Sequence, residues 1–534
     1  KVMMRTKQLF KTRLLSFAAL CCLALAAVSC ANEDIAQNNT GSDNDKKLTA
    51  FVAGEPTKTR TSIDYNTGDF YWEEGDRIYV KDDDGTLQAS NVVDAAHAHS
   101  ASFSFMVPGK FNNSATYKVY YLGKGGSGNQ VTIPTAQTQT KPNTTEHLGE
   151  LGDYGTATAS GVIGGGTFHF QLEHQATILV FQPYTSNTIL KNCYLTKVEV
   201  NSDDDIAETY TIDPVTGNLT SSAGSKQIIL TTKDPVAGST NENGFPLTNT
   251  SASVTTNGAY MLIKPGVHTF KVRYWIKDIA TNVEGTITKN LGSFDYKKNT
   301  YYDMTANLNV RDYDGDHYYM WDAQQQYWYG YEWTHKNPAW QPTLSHNLPG
   351  ATTSSFYPQN NTDSRWYNEG GGSGRFDATK SCFNLPNTNM MLWYAFKGKG
   401  HWDAEELWTT MNHLYKGGMW FLKKGKIASE NSTTIGRMVA YNPWNQDSRG
   451  TNPVYSVTPI QGQPAASEIG DYFYLPALGE YASGKLYAVG NDGFYWSSSA
   501  DTPNNAICLY FNPELISINT GSRGTGGRVL PLLE

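Results

Sequence analysis

Cysteine is scarce in this sequence, and the few cysteines form no pattern typical of a disulfide framework or a zinc site. Only 6 of the 534 residues are cysteines. None forms a Cys-x-x-Cys pair or stands at zinc-ligand spacing from a histidine. There are two interpretations of Cys382 and Cys508: they form a disulfide bond with each other, or both are buried free thiols. We predict free thiols.

Positive charge is also in short supply. The chain has 42 Lys and Arg against 50 Asp and Glu, a net charge of −8. Such a protein lacks the basic surface that nonspecific nucleic-acid binding requires. Only 17% of the residues are charged, whereas there are 49 Gly and 33 Tyr, a composition typical of a β-rich, turn-rich protein. Because 534 residues exceed what one core buries, we expect two or three domains.

Patterns for catalysis and metal binding are missing as well. The serines at 497–499 have no nucleophile-elbow context, and the glycine-rich segment at 370–374 lacks the Lys of a phosphate-binding loop. The acids at 312–316 alternate as in a calcium loop, but the glycine is misplaced and no glutamate follows at position 12. An interdomain hinge is the main interpretation there, and calcium is the alternative. We predict no enzyme activity, no cofactor and no metal.

Residues 1–29 have the features of a secretory signal peptide. Basic residues precede an apolar run at 14–28, which is too short for a comfortable membrane span. The run ends in Ala-Val-Ser-Cys, which resembles the lipobox of bacterial lipoproteins. We predict that Cys30 carries lipid, that residues 30–46 are a polar tether, and that the protein is an outer-membrane lipoprotein at the cell surface. The alternative is an ordinary cysteine beside a plain cleavage site.

Short alternating segments separated by Gly and Asp turns fill residues 47–310, which indicates antiparallel β-sandwiches. The segment 301–310 alternates apolar and polar side chains, so we predict a half-buried strand. The composition changes after it, because 11 of the 13 Trp follow residue 310. We therefore place a domain boundary there.

Several motifs in 46–310 occur together in one family. They are Thr-Arg-Thr at 59–61, F-x-W-x-x-G-D-x-I-x-V at 70–80, F-x-F-x-L-x-H at 168–174, L-x-x-V-x-V-x-S at 195–202 and N-T-Y-Y-D-M-T at 299–305. Together they resemble the fimbrillin family of Bacteroidota, the type V or Mfa-like pilins. The resemblance implies two transthyretin-like β-sandwich domains, 47–186 and 187–310.

The same resemblance implies export as a lipoprotein and maturation by an Arg-specific protease. We carry the cleavage onto the bond between Arg60 and Thr61; the alternative is that Arg60 is an exposed turn residue. In the family, removal of the first strand opens a groove that a strand from another pilin subunit fills. Such β-strand addition satisfies an unpaired sheet edge.

Residues 311–534 are predicted to form a Trp-rich head. The segment 402–415 reads as a helix, with Asp403 and Glu406 spaced as a capping box and Leu407, Met411 and Leu414 as an apolar stripe. Later elements include L-P-x-L at 475–478, G-x-Y-W-S-S-S at 493–499 and a closing G-R-V-x-P at 527–531, which would pair near the start of the head.

This order of elements is similar to C-type-lectin-like folds, in the branch of the formylglycine-generating enzymes. The resemblance covers 380–534 and implies an α+β head. Neither the calcium-binding lectin tripeptides nor the vicinal reactive cysteines of those enzymes are present, so neither chemistry is transferred. Aromatic side chains in polar loops and a remnant of a lectin tripeptide are the candidate ligand-binding residues: Trp444, Asn445, Asp447, Asn491 and Asp492.

We predict a mainly β surface lipoprotein that is the tip subunit of a type V pilus. A stalk pilin donates a C-terminal strand, but here residue 310 leads into a folded head. The subunit can then accept a strand from another pilin and cannot donate one. The head would adhere to a host or bacterial protein or glycan. The alternative is a glycan-binding surface lipoprotein that never polymerises.

Overall fold

The structure is a computed structural model. It describes residues 3–8, 48–53, 62–63, 65, 70–124, 126, 129–212, 219–221, 224–335 and 340–530. Strands predominate over short helices in this part of the chain, which confirms a mainly β protein. Cys30, Arg60 and Thr61 lie outside the described residues. Cys193, Cys382 and Cys508 are buried free thiols, as predicted.

The first sheet is built by residues 48–174 and has the order β6-β5-β8-β11-β12-β2-β7, with β13 on β11. Its core is aromatic, since Phe51 packs against Phe111, Tyr117 and Phe168 with ring centroids 5.1 to 6.3 Å apart. The elements are β1 (Met3–Gln8), β2 (Leu48–Ala53), β3 (Ser62–Ile63), β4 (Phe70–Tyr71), β5 (Tyr79–Lys81), β6 (Leu87–Ala89), β7 (Ser104–Pro108), β8 (Thr116–Tyr121), β9 (Gln130–Ile133), β10 (Ala136–Thr138), α1 (Glu146–Glu150), β11 (Gly155–Gly161), β12 (Thr167–Phe170) and β13 (Glu173–His174).

Two further sheets, β1-β25-β14-β20 and β10-β18-β15-β22-β23, share a second core. The predicted division at residue 186 stays a prediction, and packing is continuous across it, because β14 lies beside β25 in one sheet. The elements are β14 (Thr177–Tyr184), β15 (Cys193–Ser202), β16 (Glu208–Ile212), β17 (Leu219–Ser221), β18 (Gln227–Thr231), β19 (Phe245–Pro246), α2 (Val254–Asn257), β20 (Ala259–Ile263), β21 (Gly266–His268), β22 (Phe270–Asp278), β23 (Val283–Asn290), β24 (Phe294–Tyr296) and β25 (Thr300–Asn307).

The strand predicted at 301–310 corresponds to β25. The predicted alternation of burial holds at 304–309, where Thr305 and Asn307 are partly exposed, but not at the start of the strand. Tyr301 and Asp303, on the face expected to be polar, are only 3% and 5% exposed. Tyr65 covers them: its hydroxyl donates to Asp303 at 2.7 Å, and its ring lies 5.6 Å from that of Tyr301. The alternation fails at the start of the strand because a distant segment packs on its second face there.

The C-terminal half contains the sheets β26-β29-β30-β33 and β27-β39-β36-β37-β38-β31. The predicted return of the C-terminus is confirmed, since Arg528 pairs with Tyr318. The elements are β26 (Arg311–Tyr313), β27 (Tyr318–Tyr319), β28 (Phe376–Asp377), α3 (Thr388–Lys397), β29 (His401–Thr410), β30 (His413–Leu422), α4 (Lys424–Glu430), α5 (Ile435–Ala440), β31 (Tyr455–Val457), β32 (Ile460–Gln461), β33 (Tyr472–Pro476), β34 (Glu480–Ala482), β35 (Lys485–Tyr487), β36 (Gly493–Ala500), β37 (Asn505–Phe511), β38 (Ile516–Ser522) and β39 (Gly527–Arg528).

The helix predicted at 402–415 is wrong, because this segment is the β29–β30 hairpin. Met411 and Asn412 form its two-residue turn with φ of 48° and 65°, as a type I′ turn requires. Leu407 and Leu414 are buried in the second core, and Met411 is buried in a different cluster. The 3- and 4-residue spacings do not reflect a helical face here, because residues 407–411 are all buried, as are Leu414 and Tyr415.

The true helix of this region, α3, begins after Asn387, whose side chain caps the Met390 amide, and ends at Gly398. Eight of its ten residues are buried. A helix enclosed on nearly all sides has no apolar stripe to reveal it.

Replacement of the turn residue tests this correction. Asn412→Gly should change the free energy of unfolding by less than about 0.5 kcal/mol, because glycine adopts positive φ without cost. The matched change Ala395→Gly within α3 should cost about 1 kcal/mol or more. Urea unfolding of both variants measures the difference. An equal cost for Asn412→Gly would support a helix at 402–415.

A buried acid joins the head to the second core. Asp278, at the end of β22, lies with Oδ2 3.1 Å from His413 Nδ1 and accepts from the Leu414 amide at 3.0 Å. Burial alone would raise the pKa of Asp278, but these contacts outweigh it and hold the pKa below its usual value. Thr281 adds a hydrogen bond to the Leu414 carbonyl. The two halves of the chain are therefore connected by packing and by polar contacts.

The lowered pKa of Asp278 gives a pH dependence. A carboxyl with a depressed folded-state pKa stabilises the fold above its unfolded pKa of about 3.9, and loses that contribution as the pH falls through the folded value. Asp278→Asn should cost about 1–3 kcal/mol at pH 7 and flatten stability between neutral and acidic pH. Urea unfolding from pH 3 to 7 measures this, with the exposed Asp204→Asn as control. Equal pH profiles for the two variants would contradict the assignment.

Candidate functional site

The position of β2 makes it a candidate for strand exchange. It lies inside the first sheet, pairing in parallel with β12 at four positions and antiparallel with β7 at five. Phe51 and Ala53 face the core and are 0% and 1% exposed. Loss of this strand would leave β7 without its partner strand and one edge of β12 unpaired, although β12 would stay bonded to β11. It would also uncover the aromatic core, a vacancy that only another strand of similar pattern fills well.

The edge of β25 is a second candidate. Met3–Gln8 runs antiparallel along it over six residue pairs, from Met3 opposite Thr305 to Gln8 opposite Thr300. Residues 3–8 belong to the predicted signal peptide. Its predicted removal would leave the backbone groups on this edge of β25 unpaired, and such an edge accepts another strand.

A cavity of about 280 Å³ lies in the C-terminal half, beside the sheet β26-β29-β30-β33. Its size is near the lower end of the range for small-molecule sites. Six aromatic residues and two oppositely charged side chains are part of its lining: Tyr313, Trp408, Trp420, Tyr472, Phe473, Tyr474, Arg311 and Glu406.

A β-bulge brings this lining together. The pairing of β29 with β30 shifts between Asp403 and Leu407. Asp403 is 4% exposed, and its Oδ1 accepts from the amides of Glu405 at 3.0 Å and Glu406 at 3.2 Å. Its Oδ2 accepts from Trp420 Nε1 at 3.2 Å. One buried carboxylate thus fixes both Glu406 and the Trp420 indole. The spacing that predicted a helix cap does produce side-chain-to-amide bonds, but within a strand.

The pairing register of β30 with β33 positions the aromatic side chains that form one wall of the cavity. Trp420 is directly opposite Tyr474 on β33, with ring centroids 4.9 Å apart. Gly418 makes room for Tyr474, because a Cβ at this glycine would lie 2.5 Å from the tyrosine hydroxyl oxygen. On the other side Tyr313 meets Trp408 edge-on at 6.0 Å.

Two hydroxyl groups at the cavity have no hydrogen-bond partner among the described residues. They are those of Tyr313 and Tyr474, and both oxygens are buried. Tyr474 as a whole is only 8% exposed. Burial raises the pKa of both tyrosines, so both stay protonated at neutral pH and each can donate and accept. Buried polar atoms normally have partners, which makes these hydroxyl groups the strongest sign of a ligand.

Arg311 and Glu406 place opposite charges at the same cavity. Burial raises the pKa of Glu406 and the nearby charge of Asp403 raises it further, whereas Arg311 lowers it. The guanidinium of Arg311 lies 5.1 Å over the Tyr313 ring. Because the charges compensate each other, the cavity does not select a strongly charged ligand.

The sequence-predicted residues Trp444, Asn445 and Asp447 lie outside this cavity. Trp444 is 45% exposed and packs on Phe396 and Tyr455. Asn445 accepts from Arg437 at 2.7 Å. Hydrogen bonds from Arg449 hold the pKa of Asp447 well below its usual range. Both polar side chains are therefore engaged locally. Their role in ligand binding stays a prediction.

Asn491 and Asp492 are also away from the cavity. Asn491 donates to Asp492, and the Tyr510 hydroxyl donates to Asp492 at 2.9 Å. Burial, with the charge of Asp492, raises the pKa of Glu480 to about 7. These acids form a local polar cluster at the start of β36.

The segment 312–316 is built as a connection. Asp312 accepts from Thr409 Oγ1 at 2.8 Å, and Asp314 lies 2.8 Å from His317 Nδ1. Across the described part of the chain, no group of three or more His, Cys, Asp or Glu side chains is placed to hold a metal ion. None of the helices in this part is both long and apolar enough to cross a membrane.

Comparisons with known proteins found likeness only among solved structures. No protein-family model and no curated protein matches the sequence. A candidate cell adhesion protein of Bacteroides ovatus is 13% identical with a TM-score of 0.32, over 50% of this chain and 94% of that one. The fimbrial anchor protein Mfa2 of Porphyromonas gingivalis is 11% identical with a TM-score of 0.21, over 46% and 83%.

The tip fimbrial protein Mfa3 of Porphyromonas gingivalis, truncated at its C-terminus, is 10% identical with a TM-score of 0.24, over 49% of this chain and 95% of that one. TM-scores at this level do not establish a shared fold.

Removal of the unpartnered hydroxyl tests the description of the cavity. Tyr474→Phe should leave the free energy of unfolding unchanged or raise it slightly, because no hydrogen bond is lost. Tyr318→Phe is the matched control, since its hydroxyl donates to the Leu478 carbonyl, and it should cost about 1 kcal/mol. Thermal and urea unfolding measure both. A loss for Tyr474→Phe as large as that of the control would show that its hydroxyl has a partner within the protein.

Proposed function

We propose that this protein is a surface adhesin that accepts a β-strand from another pilin subunit and carries an adhesive head, as the tip of a type V pilus does. The observation that carries the proposal is the interior position of β2. Its two neighbours, β12 and β7, already supply both hydrogen-bonding edges of a groove. A strand that replaces β2 would recover these backbone bonds and the burial now provided by Phe51, about 2 kcal/mol for that side chain alone.

The predicted cleavage after Arg60 fits this groove. It would cut the chain between β2 and the segment 62–65, so that β2 is no longer covalently attached to the sheet. Tyr65, just beyond the cut, stays bound to Asp303 and Tyr301 of β25. The body of the protein therefore keeps its contacts while the strand that fills the groove becomes replaceable.

The head explains why the subunit would accept and not donate. β25 leads directly into β26, which pairs with β29 of the head, and the Asp278 contacts tie the β29–β30 turn to the second core. A segment fixed in this way is not available as a donor strand. This supports a terminal position in a fibre.

A second candidate function is glycan binding without polymerisation. The cavity beside β26-β29-β30-β33 favours it, because an adhesive site in the head operates whether or not a strand is exchanged. Both functions share a lipid anchor at Cys30 and an outer-membrane location, which are proposals from the sequence.

Peptide complementation tests strand acceptance. Treatment of the mature chain with an Arg-specific protease should cut after Arg60. Mild denaturant should then release the β2 fragment, and a synthetic peptide of residues 46–55 should rebind and raise the midpoint of unfolding by several degrees. An Arg60→Ala chain controls for cleavage elsewhere, and a peptide with Phe51→Asp controls for specificity.

Equal rebinding of the native and the Phe51→Asp peptide would contradict the proposed groove. Failure of the Arg60→Ala change to prevent release of β2 would move the cleavage to another arginine.

A further inference from the structure

The cavity of the head contains polar atoms whose bonding capacity the protein does not use. The hydroxyl of Tyr474, on a side chain more than nine-tenths buried, has no partner among the described residues, and neither has the hydroxyl of Tyr313. Leaving a buried hydroxyl unbonded costs about 1–3 kcal/mol. Two such groups at one cavity indicate that a bound molecule supplies their partners.

The walls restrict the chemistry of that molecule. The Trp420 and Tyr474 rings meet at a tilt on one side, and the Tyr313 and Trp408 rings meet edge-on on the other. Aromatic faces bind a ligand surface made of C–H groups, whereas the two hydroxyl groups, Arg311 and Glu406 bind groups that donate and accept hydrogen bonds. The ligand must therefore have an apolar face and a polar edge.

The charged side chains at the cavity further restrict the chemical class of the ligand. One guanidinium and one carboxylate line the cavity, so the attraction of a charged ligand to one of them is offset by its repulsion from the other. A neutral molecule with several hydroxyl groups uses both, since hydroxyl groups donate to the carboxylate and accept from the guanidinium. A pyranose has this combination of a C–H face and hydroxyl edge without net charge.

The volume of the cavity limits the size of the ligand. A cavity of about 280 Å³ is small for a ligand site, so it suits one sugar unit at the end of a chain. We propose that the cavity formed by Arg311, Tyr313, Glu406, Trp408, Trp420 and Tyr474 binds a terminal neutral hexopyranose of a surface glycan. This inference rests on the adhesive role proposed for the head and does not depend on strand exchange.

Titration of the full mature chain with methyl glycosides of glucose, galactose and mannose tests the inference. One of them should bind with a dissociation constant of roughly 1 mM, as is expected for a ligand with few heavy atoms. Glu406→Gln and Tyr474→Phe should each weaken binding about tenfold, because each removes one hydrogen bond to the sugar. Neither change should lower the free energy of unfolding.

Glu405→Gln is the matched control. Glu405 is the neighbouring residue in the same bulge, but it does not line the cavity and pairs with Lys416, so its replacement should leave binding unchanged. Absence of binding by all three glycosides, equal weakening by Glu405→Gln, or binding only of an anionic sugar such as methyl glucuronide would overturn the inference. So would a crystal soaked in the glycoside that shows only ordered water on the two tyrosine hydroxyl groups.

The same samples separate this inference from the proposed function. If the cleaved chain takes up the 46–55 peptide but binds no glycoside, the sugar site is wrong and strand acceptance stands. If the glycoside binds and the peptide does not, strand acceptance is wrong and the sugar site stands.

Discussion

The structure depends on the placement of the first long strand, β2, between β12 and β7. Interior strands of a sheet are hydrogen-bonded on both sides, and β2 also brings Phe51 into an aromatic core. The strand closest to the N-terminal tether is thus an interior strand of the first sheet, and its loss would unpair edges on both sides. A protein that can part with such a strand needs a replacement, and a replacement supplied by another subunit is an assembly mechanism.

The first strand of the head, β26, differs from β2 because it is held in place at both ends. β26 continues from β25, pairs with β29 and contributes Arg311 and Tyr313 to the cavity. Asp278 holds the adjoining hairpin turn against the second core. The connection that holds β26 in place therefore also builds the candidate ligand site. In the proposed function, the terminal position of the subunit in the fibre and the adhesive site of the head both depend on the connection from β25 to β26.

The sequence predicts the β class, the strand at 301–310, the return of Arg528 to Tyr318 and the unpaired thiols, because these follow from alternation, turn residues and cysteine spacing. It does not predict the burial of Asp303, which depends on Tyr65, a residue 238 positions away. It mistakes the 402–415 hairpin for a helix because Asp403 and Glu406 have the spacing of a capping box. Asp403 does bond the Glu406 amide, but within a strand. The sequence does not predict the cavity either, because its lining residues come together only through the bulge in β29 and the pairing of Trp420 with Tyr474.

Hydrogen exchange at β7 and β12 tests the central claim most directly. The account predicts that the amides of both strands are protected in the intact chain, become exposed to exchange once cleavage after Arg60 has allowed the fragment containing β2 to be removed, and regain protection when a complementary strand is added. Protection that is unchanged after removal of that fragment would contradict the account, because the sheet would then not depend on β2 and would have no groove to offer another subunit.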